Sequence, residues 1–296
     1  MKKNRIAFIS NFLLLMTAII WGFAFVAQSV GMNYVGPWTF VFTRFIIAAI
    51  LLLPMSAFSE KNYRASLPAA VEEKKYKKDV LIGGAACGLC LGCASITQQI
   101  GMQTTSAGKA GFITACYVVI VPLLGFFIGK KPKKTIWLSV ALALVGLYLI
   151  SMHGGMNIER GDAMVSLCAL LFSFQIISVD HFSEKVNPVR LSNIQFFFAA
   201  LIGLVGMILF ESPNIDGIIG AMPSILYAGV MSTAVGYTLQ VLAQKNTDPT
   251  IASLLMSLES VFSVVGGFLI LHQTLSIQEL IGCVIVFAAV IIAQIL

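Results

Sequence analysis

The chain has 296 residues, of which 58% are hydrophobic and only 11% charged, and its mean hydropathy is +0.92. An ordinary soluble domain carries roughly a quarter charged residues, so this composition excludes water as the solvent for most of the chain. The formal net charge of +6 sits mainly in short stretches between apolar runs, which points to membrane topology and away from a nucleic-acid partner.

Apolar runs of about twenty residues can cross a hydrocarbon core of about 30 Å as helices. They fall at about 9–30, 38–58, 79–103, 106–128, 135–152, 162–182, 188–210, 217–243, 249–271 and 275–295. The first follows Met1-Lys2-Lys3-Asn4-Arg5 and extends through Trp21 and Gln28 without a small-residue cleavage site, so it is expected to be a retained helix and not a signal peptide. The second carries Arg44 and Pro54. In the third, Gly84, Gly88 and Gly92 recur every four residues, a smooth strip along one helical face that lets a neighbour pack closely. The third and fourth runs are separated by too little sequence for anything but a tight antiparallel hairpin. The fourth starts near Lys109 and holds Tyr117 and Pro122, and the ninth holds Glu259. The fold class expected is an all-α membrane protein of ten transmembrane helices.

Cationic loops resist translocation, so their placement orients the chain. With the N-terminus inside, the inner segments hold 16 of the 19 lysines and arginines. Lys109 and Arg160 fall outside, and Arg44 lies within a helix. The expected location is the plasma membrane, multi-pass, with a cytoplasmic N-terminus.

The second half of the chain repeats the first. At a shift of 151, Pro37 matches Pro188, Phe45 matches Phe196, Ala48 and Ala49 match Ala199 and Ala200, and polar Arg44 falls opposite polar Gln195. At a shift of 142, Ala110 pairs with Ala252, Val119 with Val261, Gly125 with Gly267, Phe126 with Phe268 and Ile128 with Ile270, which sets Tyr117 against Glu259. The repeats are placed at 9–152 and 162–295. Five helices per copy is an odd number, so the second copy enters the bilayer inverted. A pair so related can exchange conformations to open on either side, which is the ground plan of a transporter.

Trp21-Gly22, Pro37-Trp38-Thr39-Phe40-Val41-Phe42-Thr43-Arg44-Phe45, and Thr105-Ser106-Ala107-Gly108-Lys109-Ala110-Gly111-Phe112-Ile113 leading into Val121-Pro122-Leu123-Leu124 resemble the first EamA domain of the drug/metabolite transporter superfamily. Leu258-Glu259-Ser260-Val261-Phe262 followed by Gly266-Gly267 resembles the matching stretch of the second. The likeness covers essentially the whole chain. It implies ten helices around a central substrate cavity and export of small metabolites or amino acids. Two departures stand out. Ser260 follows the carboxylate where the family commonly has proline, and Gly129-Lys130-Lys131 and His272-Gln273 stand where it often has a glutamate.

Glu259 lies about eleven residues into its run, near mid-bilayer, where a charge costs at least about 2.5 kcal/mol on insertion scales. It either recognises a substrate amine or carries a coupling proton, or else it holds the bundle together through a helix partner. Tyr117 is its counterpart in the other repeat and could share one site with it. Arg44 could grip a substrate carboxylate through its planar fork, or anchor the helix at the interface by snorkelling. Trp21 and Gln98 sit near mid-span and face either a wet cavity or another helix. Gln28, Gln99, Gln175, Asn193, Gln195, Tyr237 and Gln240 are further polar or amphipathic groups within the spans, read first as helix glue. Lys109 reads as an interfacial cation.

Cys87-x2-Cys90-x2-Cys93 spreads round its helix and lacks a fourth thiolate, so no metal centre is expected; the same holds for Cys116, Cys168 and Cys283. His153, His181 and His272 lie at or near helix ends, and no catalytic or nucleotide-binding motif is present. No cofactor is expected. The partners implied are a small-molecule substrate, the lipid bilayer and a coupling proton or other ion, with the oligomeric state open. The function expected is secondary transport by alternating access. A membrane enzyme acting on a lipid or isoprenoid, and a non-transporting scaffold, are the alternatives.

Overall fold

A computed structural model of the chain describes residues 2–66, 72–130, 132–151, 160–272, 274 and 276–295; His153 lies outside them. The apolar runs form α1 (Lys2–Gly31), α2 (Pro37–Ala65), α3 (Glu73–Gly101), α4 (Ala107–Phe127), α5 (Lys134–Ser151), α6 (Arg160–Ser183), α7 (Pro188–Phe210), α8 (Met222–Gln244), α9 (Pro249–Leu271) and α10 (Ile277–Ile295). Among the described residues nine of these are long and apolar enough to cross a membrane, and α5 contributes the shorter apolar stretch Lys134–Ile150.

Local chemistry sets where the helices begin. Pro37, Pro188 and Pro249 open α2, α7 and α9, at a position where proline's fixed φ suits the helix and its missing N–H is not needed. Asn187 accepts from Val189 N and Arg190 N, Ser106 from Lys109 N, and Asp248 from Thr250 N, each capping orphan donors of a first turn. Gly36 offers α2 no such cap. Instead Glu211, just past the end of α7, accepts from Trp38 N and Thr39 N at 2.9 Å and from the Thr39 hydroxyl at 2.6 Å.

That contact also fixes a direction, because the start of α2 meets the end of α7. Toward their other ends Asn193 Nδ2 donates to Ala49 O at 2.7 Å, and Asn187 Nδ2 donates to Ser59 Oγ at 3.0 Å. The two helices are therefore antiparallel. The same relation holds for α4 with α9, which meet through Tyr117 and Glu259 and through Gly111 and Ser263. It holds again for α5 with α10, where Gly146 lies against Val286 and Gly282 against Ile150. Every other main packing pair recurs after exchanging the two sets of five helices: α3–α6 with α1–α8, α3–α7 with α2–α8, and α1–α9 with α4–α6. Such exchange symmetry between antiparallel twins describes two inverted five-helix repeats about an axis in the membrane plane.

Three features differ from the sequence reading. First, α4 and α9 are not continuous. α4 divides at Cys116 into Ala107–Ala115 and Tyr117–Phe127, and α9 divides at Ser257 and Leu258 into Pro249–Met256 and Glu259–Leu271. At each division the backbone tightens to i−3 bonds, from Cys116 N to Ile113 O and from Ser260 N to Ser257 O, both at 3.2 Å. Ser253, Ser257, Ser260 and Ser263 each donate a side-chain hydroxyl to the carbonyl three residues back at 2.7–2.8 Å, competition of the kind that bends helices.

Second, the run expected at 217–243 is two elements, a short helix Ile215–Gly220 and then α8. Third, Tyr227–Tyr237 within α8 is wound as a π-helix. Thr233 Oγ1 donates to Ala228 O at 2.7 Å, five residues back, and two carbonyls of the wide turn also accept from α1: Ser232 O from Trp21 Nε1 at 3.1 Å and Gly236 O from Thr17 Oγ1 at 3.3 Å.

The glycine strip on α3 packs against α7. A Cβ at Gly88 would come within 2.6 Å of Gln195 O, so only glycine permits that approach.

Candidate functional site

The site is built where the two broken helices cross. Gly22 sets α1 against the break in α9: a Cβ there would meet Phe262 Cβ at 2.3 Å and Glu259 O at 2.8 Å. The adjacent Trp21 turns toward the π-helix, with its ring 4.5 Å from that of Tyr237. The Trp21-Gly22 pair thus joins the unwound part of α8 to the broken part of α9.

Tyr117 and Glu259 each open the second half of a divided helix. Tyr117 Oη donates to Glu259 Oε1 at 3.0 Å, and the residues are 2% and 3% exposed. Glu259 thus stands in the first turn of a half-helix, where the helix dipole favours a carboxylate.

Arg44 is 2% exposed, so it does not snorkel to an interface. Its Nη1 donates to Gln28 Oε1 at 2.9 Å, and the guanidinium carbon lies 4.8 Å from the centre of the Phe45 ring. Its Nε has no protein partner, and no ion pair reaches it among the described residues. Gln98 Nε2 donates to Thr114 Oγ1 at 3.0 Å.

Trp21, Arg44, Gln98, Tyr117 and Glu259, the five residues singled out from sequence, line one narrow cavity of about 20 Å³. Its other walls include Gln28, Gln175, Tyr237 and Gln240, which the sequence marked only as polar groups within spans, and Phe172, Thr114 and Ser232, which it did not single out. The lining follows the repeat. At the shift of 151 already seen for α2 and α7, Trp21 is twinned with Phe172, Ala24 with Gln175 and Phe25 with Ile176; at 142, Gln98 is twinned with Gln240 and Tyr117 with Glu259. All ten residues touch the cavity. Extending the shift to α1 and α6 was the signal that identifies Phe172.

Other candidates lie elsewhere. Lys109 Nζ binds Asp162 Oδ2 at 2.6 Å at one end of the α4–α6 pair, and Lys130 Nζ binds Asp180 Oδ2 at 2.5 Å at the other. The six cysteines are free, and among the described residues no group of three or more His, Cys, Asp or Glu side chains is placed to hold a metal ion.

This geometry has counterparts among known proteins. The profile of the EamA-like transporter family matches twice, at residues 8–152 and 159–294. The chain belongs to that family. A protein of Archaeoglobus fulgidus described as an uncharacterized transporter is 29% identical over 95% of this chain and 84% of its own length. A Bacillus subtilis protein, likewise described as an uncharacterized transporter, is 22% identical over 92% of both chains. A solved crystal structure superposes with a TM-score of 0.75 at 14% identity, covering 97% of this chain and 98% of the other, and shows the shared fold. The EamA membership and the transporter relatives make this a multi-pass membrane transporter.

Proposed function

We propose that the chain is a secondary exporter of small metabolites carrying both an anionic and a cationic or proton-donating group, amino acids among them. The observation that carries this reading is the cavity itself. A carboxylate and a guanidinium share it, the carboxylate at the break between half-helices and the guanidinium with a nitrogen left unpaired. A buried charge without a counter-ion is costly, so an anionic group of the cargo stabilises Arg44 on binding. Glu259 serves as the coupling group: it takes up a proton in one orientation and releases it, or exchanges it for the cargo's amine, in the other. The paired breaks in α4 and α9 let the half-helices tilt separately, so the cavity opens to one face at a time. The protein lies in the plasma membrane, and the distribution of basic residues favours a cytoplasmic N-terminus.

Flux into proteoliposomes tests this, using a panel of amino acids and cationic drugs with Glu259→Gln and Arg44→Ala beside the wild type. The expected result is flux of at least one dipolar compound, a loss of tenfold or more in Arg44→Ala, consistent with roughly 1.4 kcal/mol or more of binding, and loss of uphill, proton-driven movement in Glu259→Gln. Absence of flux for every compound in correctly folded protein refutes the transporter mechanism. Normal proton-driven transport by Glu259→Gln removes that residue from coupling.

A further inference from the structure

The mechanism above leaves one end of the cavity unused. There Gln175 on α6 and Gln240 on α8 line the wall and bond each other reciprocally, Gln240 Nε2 to Gln175 Oε1 at 3.1 Å and Gln175 Nε2 to Gln240 Oε1 at 3.4 Å. Gln175 Nε2 also reaches Gln195 Oε1 on α7 at 3.4 Å. All three residues are 0% exposed, and Gln195 Nε2 has no protein partner.

The repeat gives this cluster its meaning. Gln240 is the twin of Gln98, and Gln195 is the twin of Arg44. The cavity wall therefore carries a guanidinium steadied by the Gln28 amide, while the position answering Arg44 is an amide that stands behind the wall and bonds Gln175. Two of the cluster's three bonds lie near the long limit for N–H···O, and one donor is unused. Each amide both donates and accepts, so the reciprocal pair can open and close again around a group of the same kind. A charged group there has no counter-ion in a low-dielectric wall.

We propose that Gln175 and Gln240, backed by Gln195, form a distinct subsite for the uncharged, hydrogen-bonding end of the cargo, a carboxamide or hydroxyl, which fixes the cargo's direction in the cavity with its anionic end toward Arg44. This rests on the reading of Arg44 and Glu259 as cargo-binding and coupling groups, and adds selectivity for the far end of the molecule.

The test compares L-glutamine with L-methionine, probes of similar length that differ in a carboxamide and a thioether, by counterflow in proteoliposomes of the full chain. A site built to hydrogen-bond its ligand rejects an analogue lacking that group strongly, so wild type should favour glutamine over methionine by about tenfold or more. In Gln175→Met/Gln240→Met, which keeps side-chain length, that ratio should fall to within about threefold, because only the shape term remains. A wild-type protein that carries both probes equally overturns the proposal even if the double variant fails to fold. An unchanged ratio in a folded double variant overturns it too. Flux of other panel compounds with neither probe carried overturns the subsite and leaves the transporter reading standing, whereas no flux of any compound removes both.

Discussion

Glu259 and Tyr117 illustrate how much one buried contact decides. Their 3.0 Å hydrogen bond is the link between the two broken helices at the cavity, and each partner is the first residue of a half-helix. Glu259→Gln keeps a carbonyl oxygen for the Tyr117 hydroxyl, so it should fold with near-normal stability while losing the titratable group. Tyr117→Phe does the opposite: it keeps the carboxyl and leaves it without its donor, at about 1–3 kcal/mol for an unsatisfied buried group. Thermal unfolding in detergent should therefore show a clear drop in Tm for Tyr117→Phe and little change for Glu259→Gln; the reverse order contradicts a structural role for this bond. Arg44→Lys makes a second check. Lysine keeps the charge but loses the planar fork, so apparent affinity for a carboxylate cargo should weaken by about tenfold, roughly 1.4 kcal/mol, with the fold intact. A Lys variant with unchanged affinity removes the fork from recognition.

Individual helices show where sequence reasoning reached its limit. Period and hydropathy located all ten runs, and the ordered matches of proline, glycine and polar positions revealed the repeat, because those signals depend only on which residue types recur. The breaks in α4 and α9 were not legible. Each half remains as apolar as an unbroken span, and what divides α9 is a series of hydroxyls bonding back to carbonyls, geometry that composition does not encode. The π-winding of α8 was hidden for a similar reason, since its carbonyls meet donors on a helix more than two hundred residues away. Gly22 shows the same dependence: its role appears only once α1 lies on the break. Gly22→Ala should force α1 and α9 apart at Glu259, at about 1–3 kcal/mol for overpacking. A lowered Tm with reduced flux is the expected outcome, and wild-type values for both contradict the close approach.

At the scale of the whole molecule, exchange symmetry and chemical asymmetry act together. The packing pairs are interchangeable between repeats, which is the symmetry that the proposed alternating access uses. The twins at and behind the cavity wall are not interchangeable: Tyr117 opposes Glu259, and Arg44 answers Gln195, which backs Gln175. The proposed mechanism requires this one cavity to open alternately to the two faces. Phe25 and Ile176 are twins that both line it and are both 2% exposed, and they lie toward opposite faces on α1 and α6. Phe25→Cys and Ile176→Cys, each in a cysteine-free background in oriented vesicles, should react with a membrane-impermeant maleimide from opposite sides only. A cargo or proton gradient that raises reactivity at one position should lower it at the other. Reaction of both from the same side, or simultaneous gain at both, contradicts alternating access.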